Sequence, residues 1–281
     1  MIIRTFSAQK FQNRQHLEFC PEKYSQFKYG SKNIAREFGY ELGRKFLDSA
    51  IYRKLQDKYD LSQMPIIVSS APFKFTPTAS LALKDYFVHE FNKAHALKFD
   101  KSIQEIKIYR AHSYFDDYDS MSKEDRDIAI TSDNFYIDKN LIEGKILFLI
   151  DDIKITGSHQ TRIERLLKSV DFTGEVVFLF YAELTGKEEP QFEGFLNRKA
   201  IKDLKDINEI IRENEFIFNT RVVKFILQTN SADFTTFIQF QSKRFNETLL
   251  HYSIGNEYFK ESMFRANILT LQSYTELQKL N

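Results

Sequence analysis

Between Lys145 and Arg162 the chain reads KILFLIDDIKITGSHQTR, and this order of residue types restricts the fold more than any other stretch. Ile146 to Ile150 is an unbroken apolar run, as expected of a central parallel strand covered on both faces rather than of a half-exposed, alternating one. Asp151 and Asp152 are expected at its carboxyl end, where ligands of open α/β sheets collect. Ionised carboxylates only accept hydrogen bonds, which suits them to the vicinal hydroxyls of a ribose. The residues that follow suit the opposite charge. Thr156, Gly157, Ser158, His159, Gln160 and Thr161 combine a glycine that permits close backbone approach, several side-chain donors and the N–H groups that begin a helix. A ribose bearing a 5′-phosphate fits both halves. Acidic residues also end strands for purely structural reasons; the buried strand before the pair and the Thr-Gly-Ser turn after it favour the ligand site.

The rest of the chain alternates helix and strand. Ser31 can cap a helix with Ile34, Phe38, Leu42 and Phe46 on one stripe, and Thr78 one with Leu81, Leu83, Phe87, Val88 and Phe91. Residues 65–70 and 175–182 read as buried strands, and Ile103 to Tyr109 as an alternating one. These features predict an α/β fold, a doubly wound, mainly parallel sheet over residues 1–186. From residue 187 the sequence becomes charged, phenylalanine-rich and helical, which predicts a helical C-terminal extension over 187–281. Its Phe234, Phe237, Phe240 and Phe245 are candidates for core or for a stripe contacting a second copy or a protein partner.

Charge and cysteine content narrow the function classes. Lys and Arg number 40 against 39 Asp and Glu, so nucleic acid is not indicated by charge, although a local basic patch remains compatible with it. Cys20 is the only cysteine, which rules out an internal disulfide or a cysteine-built zinc site and fits a cytoplasmic location. The first fifteen residues have too short an apolar stretch for a secretory signal, and no run reaches membrane-spanning length. His89, His95, His112 and His251 lack metal-ligand spacing and read as structural.

The run Ile150 to His159 resembles the phosphoribosyl-pyrophosphate (PRPP) signature of the type I phosphoribosyltransferases. Phe27-Lys28-Tyr29-Gly30 and Tyr118 to Arg126 (YDSMSKEDR) are similar, in order and spacing, to stretches of the ComF-like branch and of the related proteins of bacterial stress and conflict gene clusters. This resemblance covers about residues 25 to 185 and departs from the usual pattern at Lys154, Ile155 and His159.

The resemblance implies a type I phosphoribosyltransferase fold and displacement at the anomeric carbon of PRPP with release of pyrophosphate. It places the ribose on Asp151 and Asp152, the 5′-phosphate on residues 156–161, and Mg²⁺ between ligand and water oxygens, with no protein metal ligand assigned. It makes Ser69, Ser70, Ala71, Pro72 and Lys74, after the strand at 65–70, a pyrophosphate loop. The same Ser/Pro loop with a lysine also reads as a solvated turn. A lid between His112 and Asp133 would add cations from Arg126 and Lys123, with Arg110 as an alternative; that stretch also reads as a helix start capped by Ser122. Asp151, Asp152, Lys74 and Arg126 are the catalytic candidates. The rival reading is a non-catalytic sensor of PRPP or a nucleotide, or an effector subunit of a stress or defence assembly.

Overall fold

The computed structural model describes residues 1–111, 135–187, 191–212 and 215–280. Five strands, β1 (Ile2–Phe11), β2 (Ile66–Ser70), β3 (Gln104–Glu105), β6 (Ile146–Lys154) and β7 (Glu175–Leu184), make one sheet in the order β1-β7-β6-β2-β3. All of its pairings are parallel. A short antiparallel ribbon, β4 (Tyr109–Arg110) with β5 (Phe135–Tyr136), stands apart from it. The fold is therefore the mainly parallel α/β sheet that the central apolar run implies.

Strand alternation assigns the two faces of the sheet. Ile146, Phe148 and Ile150 turn towards a core shared with α1 (Pro21–Lys28), α2 (Lys32–Leu47), α3 (Ala50–Lys58) and α4 (Ala79–Phe99). Leu147 and Leu149, with Phe178 and Phe180 of β7, turn towards the opposite core, which contains Ile163 and Leu167 of α6 (Ser158–Ser169). A four-residue helix, α5 (Lys139–Ile142), leads into β6. Because the alternation continues, Asp152 belongs to the first face and Asp151 to the second.

The stripe expected on α2 is present: Phe38, Leu42 and Phe46 are fully buried. Ser31 stands at its start, but its side chain makes no capping hydrogen bond. Here the junction is held by the backbone instead, with Lys32 N–H donating to the Glu215 carbonyl at 2.8 Å and Ile217 N–H to that of Gly30 at 2.9 Å. Gly30 has φ +94°, and a Cβ there would meet the Ile217 carbonyl oxygen at 2.5 Å, so only glycine fits this close approach.

Beyond β7, Phe192 and Leu196 of α7 (Phe192–Asn197) join the core under the sheet. The helices α8 (Leu204–Arg212), α9 (Thr220–Leu227), α10 (Ser231–Gln239), α11 (Lys243–Gly255) and α12 (Ser262–Leu280) enclose a core of their own, into which Tyr29 inserts. Phe234, Phe237 and Phe245 lie in that core, and Phe240 is 80 % exposed.

Two readings change. Ile103 to Tyr109 is not one strand: only Gln104–Glu105 pairs with β2, and Tyr109 pairs in the ribbon. The amino-terminal residues, which carry no strong strand pattern, form edge strand β1 along β7. No helix among the described residues is long and apolar enough to cross a membrane.

Candidate functional site

The crevice predicted beyond the strand ends exists between β2 and β6. The β2 ladder stops at Ser70 opposite Ile150, whereas β6 continues beside β7 to Lys154 opposite Glu183. After β2 the chain goes to α4 on one face; after β6 it goes to α6 on the other. Connections that part in this way leave a cleft at the carboxyl ends of the two strands. It encloses about 220 Å³, with Asp151 and Asp152 on one side and Ser70, Ala71, Pro72 and Lys74 on another.

The two aspartates are not equivalent. Asp152 Oδ2 accepts hydrogen bonds from the Tyr24 hydroxyl and from Lys28 Nζ, the latter at 2.6 Å. Burial pushes its carboxyl up, but the Lys28 charge together with the hydrogen bonds from Asp151, Lys28 and Tyr24 outweighs this and holds it well below the usual carboxylate range. Lys28 also lies 3.8 Å from Glu193, which in turn is 3.5 Å from Arg221, so Asp152 is one end of a chain of alternating charges. Asp151 points the other way. Its Oδ2 lies 3.0 Å from His159 Nδ1, and its Oδ1 accepts the Asp152 N–H at 2.9 Å. Burial raises the Asp151 pKa against the pull of His159, with the Asp152 charge adding to the rise. Burial disfavours the charged His159 ring, but its hydrogen bond to Asp151 and the carboxylate charge raise its pKa overall. The His159 side chain is 60 % exposed, so water screens this pair more than the Lys28–Asp152 pair.

The turn after β6 is built as the sequence implies. Gly157 takes φ +72° directly before α6, the left-handed conformation that glycine adopts without penalty. The Thr156 hydroxyl accepts the Ser158 N–H at 3.1 Å, and the Thr161 hydroxyl donates to the Gly157 carbonyl at 3.1 Å. His159 and Gln160 reach the wall of the cleft; Thr156, Gly157, Ser158 and Thr161 form the turn behind it. Lys154 pairs with Glu183 at 2.9 Å on the outer side, and Ile155 packs at the edge of the core.

On the opposite wall, the loop after β2 is tied down at both ends. Ser69 is buried in the strand, where its hydroxyl accepts the Ile108 N–H at 3.3 Å, and the Ala71 N–H donates to the Ser80 hydroxyl at 3.2 Å. Ser69 therefore supports the loop rather than lining the cleft. Lys74 is paired with Glu257. Arg126 and Lys123, with all of 112–134, lie outside the described residues; Arg110 does line the cleft.

The C-terminal helices contribute a wall that sequence reasoning did not place there. Asn219, Thr220, Arg221, Lys224 and Asn256 face the cleft. Asn219 caps α9 through the Val222 N–H at 3.1 Å and donates to the Lys28 carbonyl at 3.1 Å. Arg221 and Lys224, three residues apart, therefore share one side of α9. Around the cleft the described lining includes Lys28, Lys74, Arg110, Arg162, Arg221 and Lys224 against only Asp151, Asp152 and Glu193. This excess of positive charge suits a polyanionic ligand.

Comparison with curated proteins returned no match. Among solved structures, that of an adenine phosphoribosyltransferase is similar with a TM-score of 0.27 and 18% identity, over 57% of this chain and 75% of that chain. The family described as PRTase ComF-like matches residues 2–271, well beyond the central segment that carries the signature. The chain belongs to that ComF-like family of phosphoribosyltransferase-related proteins.

Proposed function

We propose that the cleft binds PRPP, or a nucleotide containing ribose 5-phosphate, and transfers the phosphoribosyl group to an acceptor with release of pyrophosphate. The observation that carries this reading is the opening of both aspartates and the Ser70–Lys74 loop into one cation-rich cleft at the sheet's switch point. Asp151, whose charged partner is the largely exposed His159, is the better acceptor for the ribose hydroxyls. Asp152, fixed by Lys28 and Tyr24, supports it and adds negative charge.

In the transfer, positive charge grows on the ribose as the bond to pyrophosphate weakens, and the two carboxylates stabilise it electrostatically. Lys74 receives the charge that develops on the departing pyrophosphate. At the turn 156–161, His159 and Gln160, which reach the cleft, hold the 5′-phosphate together with the positive end of α6.

No group of three metal-ligating side chains stands together among the described residues. The carboxylate oxygens at the cleft fit the way Mg²⁺ is held in phosphate sites, by one or two carboxylates with ligand and water oxygens. Asp151 would be the protein's donor. The ion would supply charge neutralisation of the pyrophosphate oxygens.

Incubating the protein with PRPP, Mg²⁺ and a pool of nitrogen-bearing acceptors, with pyrophosphate followed by mass spectrometry, tests this reading. Acceptor-dependent pyrophosphate release supports it. A second reading, a non-catalytic PRPP or nucleotide sensor or the effector subunit of a stress or defence assembly, is favoured by one observation: Asp152 and Lys74 are each already engaged by charged partners within the chain. Tight PRPP binding with no pyrophosphate from any acceptor would select it.

A further inference from the structure

The loop after β2 is held by the C-terminal helices. Asn256, buried just past the end of α11, accepts the N–H groups of Phe75 at 3.1 Å and Thr76 at 2.9 Å on its Oδ1. Its Nδ2 donates to the Tyr258 hydroxyl at 2.8 Å, which fixes the amide's orientation. The Thr76 hydroxyl donates to the Tyr252 carbonyl at 3.1 Å, and Thr220 N–H to that of Pro77 at 2.8 Å. With the loop pinned in this way, the residue after Asn256 is brought to Lys74. That residue is Glu257, whose Oε2 pairs with the Lys74 ammonium while its Oε1 takes Lys260 at 2.7 Å.

The backbone at this point marks the arrangement as specified rather than incidental. Glu257 has φ +61°, a left-handed conformation that residues with a Cβ seldom adopt and that the surroundings must enforce. Its carboxyl is held down to about 2 by hydrogen bonds from Lys260 and Lys74, so it is ionised throughout the neutral range.

Resting on the reading of the Ser70–Lys74 loop as the pyrophosphate loop, we propose that Glu257 is a built-in competitor for that subsite, neutralising Lys74 until a phosphate group of the ligand displaces it. The exchange is chemically matched, since a carboxylate and a phosphate oxygen both accept from the same ammonium. It is also inexpensive, because Glu257 keeps Lys260 on its other oxygen. The C-terminal helices thereby set how readily the cleft accepts pyrophosphate, although none of their residues belongs to the Asp151–Asp152 motif.

The test is calorimetric titration of inorganic pyrophosphate with Mg²⁺ into the full chain and three variants: Glu257→Gln, Lys74→Met and the double variant. Glutamine keeps the shape and removes the competing charge. Glu257→Gln should bind pyrophosphate roughly two- to five-fold more tightly, the range of a partly exposed ion pair, and the gain should vanish in the Lys74→Met background. Unchanged or weaker binding by Glu257→Gln, or a gain that persists without Lys74, overturns the proposal. Titrating PRPP into the same four proteins separates the two readings: PRPP binding with no Glu257 effect removes the competitor alone, whereas no binding of PRPP or pyrophosphate to any of them removes the pyrophosphate loop as well.

Discussion

Replacing Lys28 with methionine asks whether Asp152 is held by charge. The two side chains are 11 and 9 % exposed and their charged atoms 2.6 Å apart, so solvent screens the pair little. Methionine retains most of the aliphatic stem and removes the cation. Losing one partner of a buried pair typically costs about 3–5 kcal/mol. Asp152 keeps the Tyr24 hydroxyl and Glu193 keeps Arg221, which puts the expected loss at the low end, about 3 kcal/mol at neutral pH. The pH dependence gives a second handle. In the native protein burial raises the Asp152 pKa, but Lys28, as the largest lowering influence, together with the hydrogen bonds from Asp151 and Tyr24 more than reverses this. The resulting stability is present above the unfolded carboxylate value and is lost as pH falls through the lowered folded value. Without Lys28 the sign inverts: burial raises the carboxyl above its unfolded value, the folded variant takes up the proton first, and the penalty shrinks as pH falls towards about 4. Urea unfolding of the native protein, Lys28→Met, Asp152→Asn and the double variant, repeated across the acidic to neutral range, reads both effects. A coupling of at least about 2 kcal/mol at neutral pH is expected. A Lys28→Met cost that is the same in the Asp152→Asn background, or that does not change with pH, would refute the reasoning.

Two further outcomes follow from other parts of the structure. His95 is buried, stacked on Phe91, and 3.0 Å from the Tyr52 hydroxyl; burial lowers its pKa to about 4. The unfolded chain then takes up the proton first, so stability should rise with pH from about 4 to about 6.5, by about 3 kcal/mol in total. Thermal melts of His95→Gln should show that slope flattened. Asn219→Ala loses both the α9 cap and the bond to the Lys28 carbonyl and should cost about 1–2 kcal/mol. Asn219→Ser, which can still cap, should recover part of this in the urea midpoint.

The elements legible in the sequence are those whose burial is uniform along the chain. β6 announces itself because both its faces are covered, so five apolar residues run without a break. β1 does not: at the sheet edge its residues are mostly half-exposed, and IIRTFSAQKF carries no clean alternation. Ile106 and Ile108, two residues apart, imitate the alternation of a longer strand, but the ladder on β2 ends at Glu105 and Ile108 is buried by loop packing instead. At the site, the acidic pair and the Thr-Gly-Ser turn are local and could be read directly. That Asp151 and Asp152 part to opposite faces follows from strand alternation, but the partners could not be named, since Lys28 lies 124 residues from Asp152. The C-terminal wall is more distant still: Asn256 holds the amide of Phe75 across 181 residues. Asn219 before Thr220–Leu227 is a recognisable helix start, yet nothing local says which cleft that helix will face.

The central claim is that Asp151 receives the ribose of a phosphoribosyl ligand. Calorimetric titration of PRPP with Mg²⁺ into the native protein and into Asp151→Asn tests it most directly, because asparagine preserves volume and removes only the charge of the acceptor. The expected result is saturable binding to the native protein and affinity weaker by about 2 kcal/mol, roughly 30-fold, in the variant. Equal PRPP affinity in the two proteins, both fully folded, would contradict the account.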